Sequence, residues 1–207
     1  YLWFKGLIMT DYKLNSTNFF NENAGKNYGN SNKLDLPILA VSNIQEGETI
    51  LDIGCGEGRF LNLLSEKYKN ITLYGLDISA EMIKIAREPS VKNTNYIIGE
   101  SEAIPLPVGS IDTIFCLNSF HHFPNPTESF KEMKRLLKSN GEIIIGDIWV
   151  FPVVRGLINA YLPFSKSGDV RMYSKKVLKK IIEPLGLELA YYKVVSPFLF
   201  IAKIRNI

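Results

Sequence analysis

From residue 48 to residue 150 the chain alternates short apolar runs with amphipathic stretches, and that alternation leaves few folds open. "ETILDIG" (48–54), "ITLYGLD" (71–77), "NYIIGE" (95–100), "SIDTIFCLN" (110–118) and "EIIIGDIWV" (142–150) read as buried strands. After the first of them, "RFLNLLSEKY" places Phe60, Leu63, Leu64 and Tyr68 at helical spacing. Ser79 fits the N-cap of a second helix, with Glu81 in its first turn. Asn125 fits the N-cap of a third, with Pro126 at its first position, Glu128 at the reciprocal capping position and Gly141 as a stop signal. Strands and helices in this order make βαβ units and a parallel sheet. The ending differs. "ELAYYKVVS" and "FLFIAKI" are separated only by Pro197 and its neighbours, a link too short for a parallel crossover, so they pair as an antiparallel hairpin. The expected architecture is α/β, one domain over 1–207, with a seven-stranded, mostly parallel sheet flanked by helices.

Composition narrows the function. With 207 residues, 46% hydrophobic and 22% charged, the chain can bury a substantial core. A net charge of +3 from 24 basic and 21 acidic residues gives no argument for nucleic acid as a partner. Cys55 and Cys116 make neither a disulfide framework nor a metal spacing, which points to a reduced, cytoplasmic setting. The two histidines, His121 and His122, are adjacent, and no metal site is expected. The opening run "YLWFKGLI" is too short to span a bilayer. Met9 begins "MTDYKL", which reads like a natural start; residues 1–8 are then either an upstream extension or a segment packed on the domain. Residues 15–32 are rich in Asn and Gly, with Phe19, Phe20 and Tyr28 spaced through them. They read as a mobile segment with a short helix, and 1–32 as a lid.

The stretch "ILDIGCGEGRF" (50–60) carries the chemistry. A dinucleotide fingerprint would need a third glycine where Arg59 stands, and a triphosphate loop would need Lys-Ser or Lys-Thr after its last glycine. The pattern present is D-x-G-x-G-x-G: Asp52, Gly54, Gly56, Gly58. A carboxylate two residues before the first glycine suits an ammonium group and repels a pyrophosphate. Asp77 ends the second strand, where a carboxylate takes both hydroxyls of a ribose. Glu100 stands at the tip of the third. An adenosine with a cationic, amino-acid-bearing tail fits all of these, which describes S-adenosylmethionine.

On these residues the chain resembles the class I S-adenosylmethionine-dependent methyltransferases, whose fold is Rossmann-like, and most of all the ubiquinone and menaquinone biosynthesis branch. "LDIGCGEGRF", "LYGLDIS", "GESEAIPLPVGSIDTIFC" and "FHHFPNPTESFKEMKRLLKSNGEIIIGD" match successive family motifs, and the likeness covers roughly residues 15–207. The resemblance implies a backbone at Gly54, Cys55 and Gly56 beneath the methionine part and Asp52 near its ammonium. It further implies Asp77 on the ribose, Ile78 and Met82 flanking the adenine, Glu100 and Ser101 at the adenine edge, Asn118 and Ser119 beside the methionine tail, and Tyr28 closing the site. S-adenosylhomocysteine would be the product.

His121 and His122 follow the fourth strand, where the acceptor should meet the methyl group. One of them, His121 first, is a candidate general base, with Asp147 after the fifth strand as its partner. The competing reading is that the imidazole only hydrogen-bonds a loop. Residues 149–173 supply Trp149, Phe151, Tyr161, Phe164 and Tyr173 with Arg155 and Arg171, and together with the N-terminal segment are expected to wall a hydrophobic or aromatic acceptor pocket. The expected activity is methyl transfer to a small molecule. The alternatives are a non-catalytic S-adenosylmethionine-binding module and an RNA or protein methyltransferase. A nicotinamide oxidoreductase is disfavoured by the glycine spacing and the antiparallel ending. The oligomeric state stays open.

Overall fold

The computed structural model describes residues 2–26, 32–88 and 94–207. Five parallel strands, β1 (Thr49–Ile53), β2 (Thr72–Asp77), β3 (Thr94–Ile98), β4 (Ile111–Leu117) and β5 (Leu137–Ile148), lie in the order β3-β2-β1-β4-β5. β6 (Leu187–Ser196) and β7 (Leu199–Asn206) complete the sheet, with β7 antiparallel to β5 and β6 at the edge. The chain builds outward from β1 to β3, then crosses to β4 on the other side. The reversal opens a crevice outside the carboxyl ends of β1 and β4, the usual ligand position in such sheets.

Both faces of the sheet are covered, so the central strands are apolar in both directions and alternate between two cores. Leu51, Ile53, Ile114, Cys116, Ile143 and Ile145 join one core, against α5 (Pro126–Leu136) and α7 (Lys175–Ile182). Ile50, Phe115 and Ile144 join the other, against α2 (Asp35–Val41), α3 (Arg59–Lys67) and α4 (Ala80–Arg87). The hairpin turns at Pro197 and Phe198, as the short link requires.

Three local expectations change. α1 runs over Leu2–Asn23, far longer than the short helix read from the Asn-rich composition. Tertiary contacts override weak propensity here: Ser16 is buried, and Asn21 accepts a hydrogen bond from the Ser79 hydroxyl at 2.7 Å. Asn125 makes no side-chain cap on α5, because its amide donates to Glu102 at 3.2 Å, and Glu128 pairs with Lys131 instead of reaching back. α5 ends at Leu136, so Gly141 lies inside β5 and stops no helix.

Ser79 does cap α4. Its Oγ accepts from Met82 N at 3.1 Å while donating to Asn21. Ser79→Ala is expected to cost about 0.5–2 kcal/mol, read as a lower denaturant midpoint at unchanged slope.

Candidate active site

The loop after β1 is shaped by close approach. Gly54 (φ +76°) and Gly58 (φ +75°) take left-handed backbone that side chains rarely adopt. A Cβ on Gly54 would lie 2.4 Å from the Cβ of Ser119, and one on Gly58 2.4 Å from the Tyr96 hydroxyl oxygen. Gly54 N and Cys55 N both donate to Leu76 O, at 2.7 and 3.0 Å, which ties the loop to β2. Asp77, at the end of β2, accepts from Gly56 N and Ser79 N, each at 2.8 Å. Those bonds fix the carboxylate and leave lone pairs directed to the crevice.

A cavity occupies that crevice. Asp52, Gly54, Cys55, Gly56, Asp77, Ile78, Met82, Glu100, Ser101, Asn118 and Ser119 all line it, as the sequence expected. Tyr28 lies outside the described residues. Two of the lining hydroxyls are already engaged: Ser119 Oγ donates to Ile53 O at 2.8 Å, and Ser101 Oγ shares a hydrogen bond with Ser129 Oγ at 2.8 Å. Asn118 is the one non-glycine residue with positive φ (52°) among those described, on the turn leaving β4. Strained backbone of this kind persists where a site needs it.

The structure adds residues that the motif reading missed. Lys13, Ser16 and Phe20 reach the cavity from α1. Lys13 Nζ binds Glu100 at 2.5 Å and Glu102 at 3.1 Å, so an ion-pair fork fastens α1 to the rim of the cavity beyond β3. Only the aromatic spacing at Phe19 and Phe20 hinted at this in sequence. Arg59, which breaks the dinucleotide fingerprint, pairs with buried Asp35 through two contacts of 2.6 and 2.8 Å.

Asp52 tests whether a cationic tail fits. It is 2% exposed, and its Oδ1 has no hydrogen-bond partner among the described residues. Burial, and then the charge of Asp77, push its pKa up to about 7, with Arg59 pulling the other way. A buried carboxylate in this position gains from a fixed ammonium beside it, so the residues present fit S-adenosylmethionine.

The histidine pair departs from expectation. His121 does not line the cavity; His122 does. His121 Nδ1 sits 2.6 Å from Asp147 Oδ1, its backbone N–H donates to Asp147 Oδ2 at 2.9 Å, and its Nε2 lies 3.3 Å from Asp169 Oδ1. Burial opposes charging this ring, but Asp147 and Asp169 outweigh it and raise the pKa to about 10. An imidazolium with both nitrogens engaged cannot accept a proton at neutral pH. His122 is the opposite case. Burial, and then the neighbouring His121 charge, lower its pKa to about 4. Its ring meets Phe20 edge-on at 5.0 Å, and its Nδ1 is buried without a partner among the described residues. Asp169 is held ionised despite its burial by the two histidines and Ser167. His121, His122 and Asp169 bring ligand-type atoms within 4.8 Å of one another, through the His121–Asp169 ion pair and a 3.7 Å approach of His122 Nε2 to the same carboxylate.

Asp169 belongs to the strap after α6 (Pro152–Tyr161). Val170 N and Arg171 N donate to His121 O at 2.8 and 3.1 Å. Gly168 (φ +77°) rests on α1 so closely that a Cβ there would lie 2.5 Å from Ser16 N. No residue of 149–173 lines the cavity. Tyr173 packs into the core, 4.5 Å from the Phe120 ring, while Phe151, Tyr161 and Phe164 face outward. The aromatic and apolar lining of the cavity comes from Phe20, in the N-terminal segment, and from Leu117, Phe123 and Pro124.

A seven-stranded Rossmann-like sheet, a glycine loop with no phosphate-binding pattern, and two buried aspartates at its strand ends are a combination that fits S-adenosylmethionine. Comparison with known proteins agrees: residues 51–145 match the family model described as a methyltransferase domain. The chain is 30% identical over 113 residues to a malonyl-[acyl-carrier protein] O-methyltransferase of Marinomonas, covering 54% of this chain and 42% of that one. It is 32% identical over 98 residues to the demethylmenaquinone methyltransferase of Thermotoga maritima, covering 47% and 42%. A crystal structure of an S-adenosylmethionine-dependent methyltransferase from Aquifex aeolicus superposes with a TM-score of 0.69 at 25% identity, over 86% of this chain and 95% of that one. The chain spans about half the length of the curated relatives it matches. Residues 51–145 thus match a methyltransferase domain, and the Aquifex aeolicus structure that the chain resembles is S-adenosylmethionine-dependent.

Proposed function

We propose that this protein transfers a methyl group from S-adenosylmethionine to a small, apolar or aromatic acceptor, with His122 taking the acceptor's proton. The observation that carries the reading is buried Asp52, whose Oδ1 has no hydrogen-bond partner among the described residues, lining the same cavity as Asp77. When bound, the cofactor supplies an electrophilic methyl on a sulfonium. In this reading Asp77 orients the ribose, Asp52 holds the ammonium, and α1 excludes water from above. Phe20, Leu117 and Phe123 hold the acceptor in line with the methyl, which is the larger part of the catalysis. His122, neutral and at the cavity wall, accepts a proton if the acceptor has one to lose. The names of the two relatives, one acting on demethylmenaquinone and one on a malonyl thioester, are in keeping with oxygen or carbon acceptors of modest size.

Calorimetry with S-adenosylhomocysteine and with NADH tests the cofactor assignment. Tight binding of the first and none of the second is expected, and a preference for NADH overturns it. The same titration followed by hydrogen exchange tests the lid. Amides of α1 should gain protection when S-adenosylhomocysteine is present, because the Lys13 fork and the Asn21–Ser79 bond tie the helix to the rim of the cavity. Equal exchange with and without ligand would remove the lid from the scheme.

A further inference from the structure

α6 is apolar on both sides, which a surface helix has no reason to be. Its inner side, with Val150, Ile158 and Leu162, packs against Met172. Its outer side carries Val153, Leu157 and Tyr161 at helical spacing, and Phe164 follows in the 3-10 turn Leu162–Phe164, with exposures of 78%, 69%, 66% and 78%. Phe151 (61%) precedes the helix and stands edge-on to Trp149 at 4.9 Å. Trp149 N donates to Phe198 O at 2.8 Å, which brings the exposed tip of the β6–β7 hairpin alongside. Exposed apolar side chains thus gather on α6, at Phe151 and Phe164, and at the hairpin tip, where Phe198 is 68% exposed. This surface is separate from the cavity, since none of these residues lines it.

Charge decides what covers this surface. No acidic residue occurs between Asp147 and Asp169, while Arg155 and Lys166 do. Arg155 lies close enough to Tyr192 to act on its phenol, and Lys175 stands 5.6 Å from the centre of the same ring. α7 begins with Lys175 and carries Lys176, Lys179 and Lys180, of which Lys179 is paired with Glu183 at 3.0 Å. An apolar face with aromatic residues and a cationic rim is the pattern of a helix that lies in a lipid headgroup layer. A second copy of this chain would bring a second cationic rim against the first, which disfavours a symmetric dimer.

We propose that the outer face of α6, together with Phe151 and the Phe198 hairpin tip, is a docking surface for an anionic membrane. The site would hold the protein at the interface without spanning it; no helix among the described residues is long and apolar enough to cross a membrane. The apolar side chains would sit among the upper acyl carbons, and Arg155, Lys166 and the α7 lysines at the lipid phosphates. The docking needs neither cofactor nor acceptor, so it stands apart from the methyl-transfer reading.

Flotation of the full chain with vesicles tests this. Vesicles of equal parts phosphatidylglycerol and phosphatidylcholine should carry at least about 10-fold more protein than phosphatidylcholine alone, and high salt should weaken the binding. Leu157→Asp with Phe164→Asp should reduce it at least about 10-fold, while S-adenosylhomocysteine titration stays unchanged, because both side chains are exposed and neither touches the cavity. Three results overturn the proposal: no vesicle binding, binding unaltered by the double substitution, or a dimer by light scattering that the same substitution dissolves. Loss of S-adenosylhomocysteine binding by the wild-type chain with vesicle binding intact would sink the methyl-transfer reading and leave this one standing.

Discussion

Asp77→Ala is expected to weaken S-adenosylhomocysteine binding by about 2–4 kcal/mol, roughly 30- to 700-fold. Two losses add. The ribose hydroxyls lose a charged acceptor, and Gly56 N and Ser79 N lose the partner that now sits 2.8 Å from each. A buried N–H left unpaired costs about 1–3 kcal/mol by itself. Asp77→Asn separates the two. Its amide oxygen can keep one backbone donor, so the loop should hold its shape while affinity still falls, by a smaller factor. Calorimetry on both variants reads the difference. Equal affinity of wild type and Asp77→Ala would show that the nucleoside lies elsewhere.

The histidine pair should separate into a stability effect and a rate effect. His122→Ala is expected to lower turnover by roughly 10²- to 10⁴-fold on a hydroquinone or other phenolic acceptor, with cofactor affinity almost unchanged. His121→Ala should instead unfold the protein more easily, by about 3–5 kcal/mol, because Asp147 and Asp169 are left without their shared cation. The pH dependences run differently. The His121 pKa is raised in the fold to about 10 from an ordinary value near 6.5. Its contribution to stability is therefore complete below the unfolded pKa and lost as pH rises through the folded one. Denaturant midpoints should fall between neutral pH and about 10, and the fall should vanish in the variant. The His122 pKa is depressed to about 4, so the base is already neutral at neutral pH. The rate should be flat there, where an unperturbed imidazole would give a rise near 6.5. A rising profile, or full activity in His122→Ala, would mean that the acceptor loses no proton to this ring.

Residues 50–60 and Asp77 were readable because their work is local. A glycine forced to positive φ, and a carboxylate at a strand end, announce themselves within a few positions. The alternation of apolar runs likewise gave the sheet and its antiparallel finish. What failed to show depends on partners far along the chain. Asn125 has the chemistry of a cap, and only the proximity of Glu102 draws its amide away. Nothing near His121 indicates that Asp169 will reach its second nitrogen and turn a plausible base into a fixed cation. The aromatics of 149–173 have the composition of a pocket wall, and composition does not say which way a helix faces.

The contact between Gly168 and Ser16 has a consequence for turnover. The strap leans on α1 there, and the same strap holds the His121 carbonyl and bridges to its ring. Lifting α1 to exchange one nucleoside for another thus removes the support beneath the acceptor-side histidines in the same motion. On the proposed reading, departure of spent cofactor and resetting of the proton acceptor would share one barrier. The slow step of a cycle is then expected to be this single opening, and a bulkier residue at position 168, by wedging strap from lid, should trade tight retention of the product for faster release.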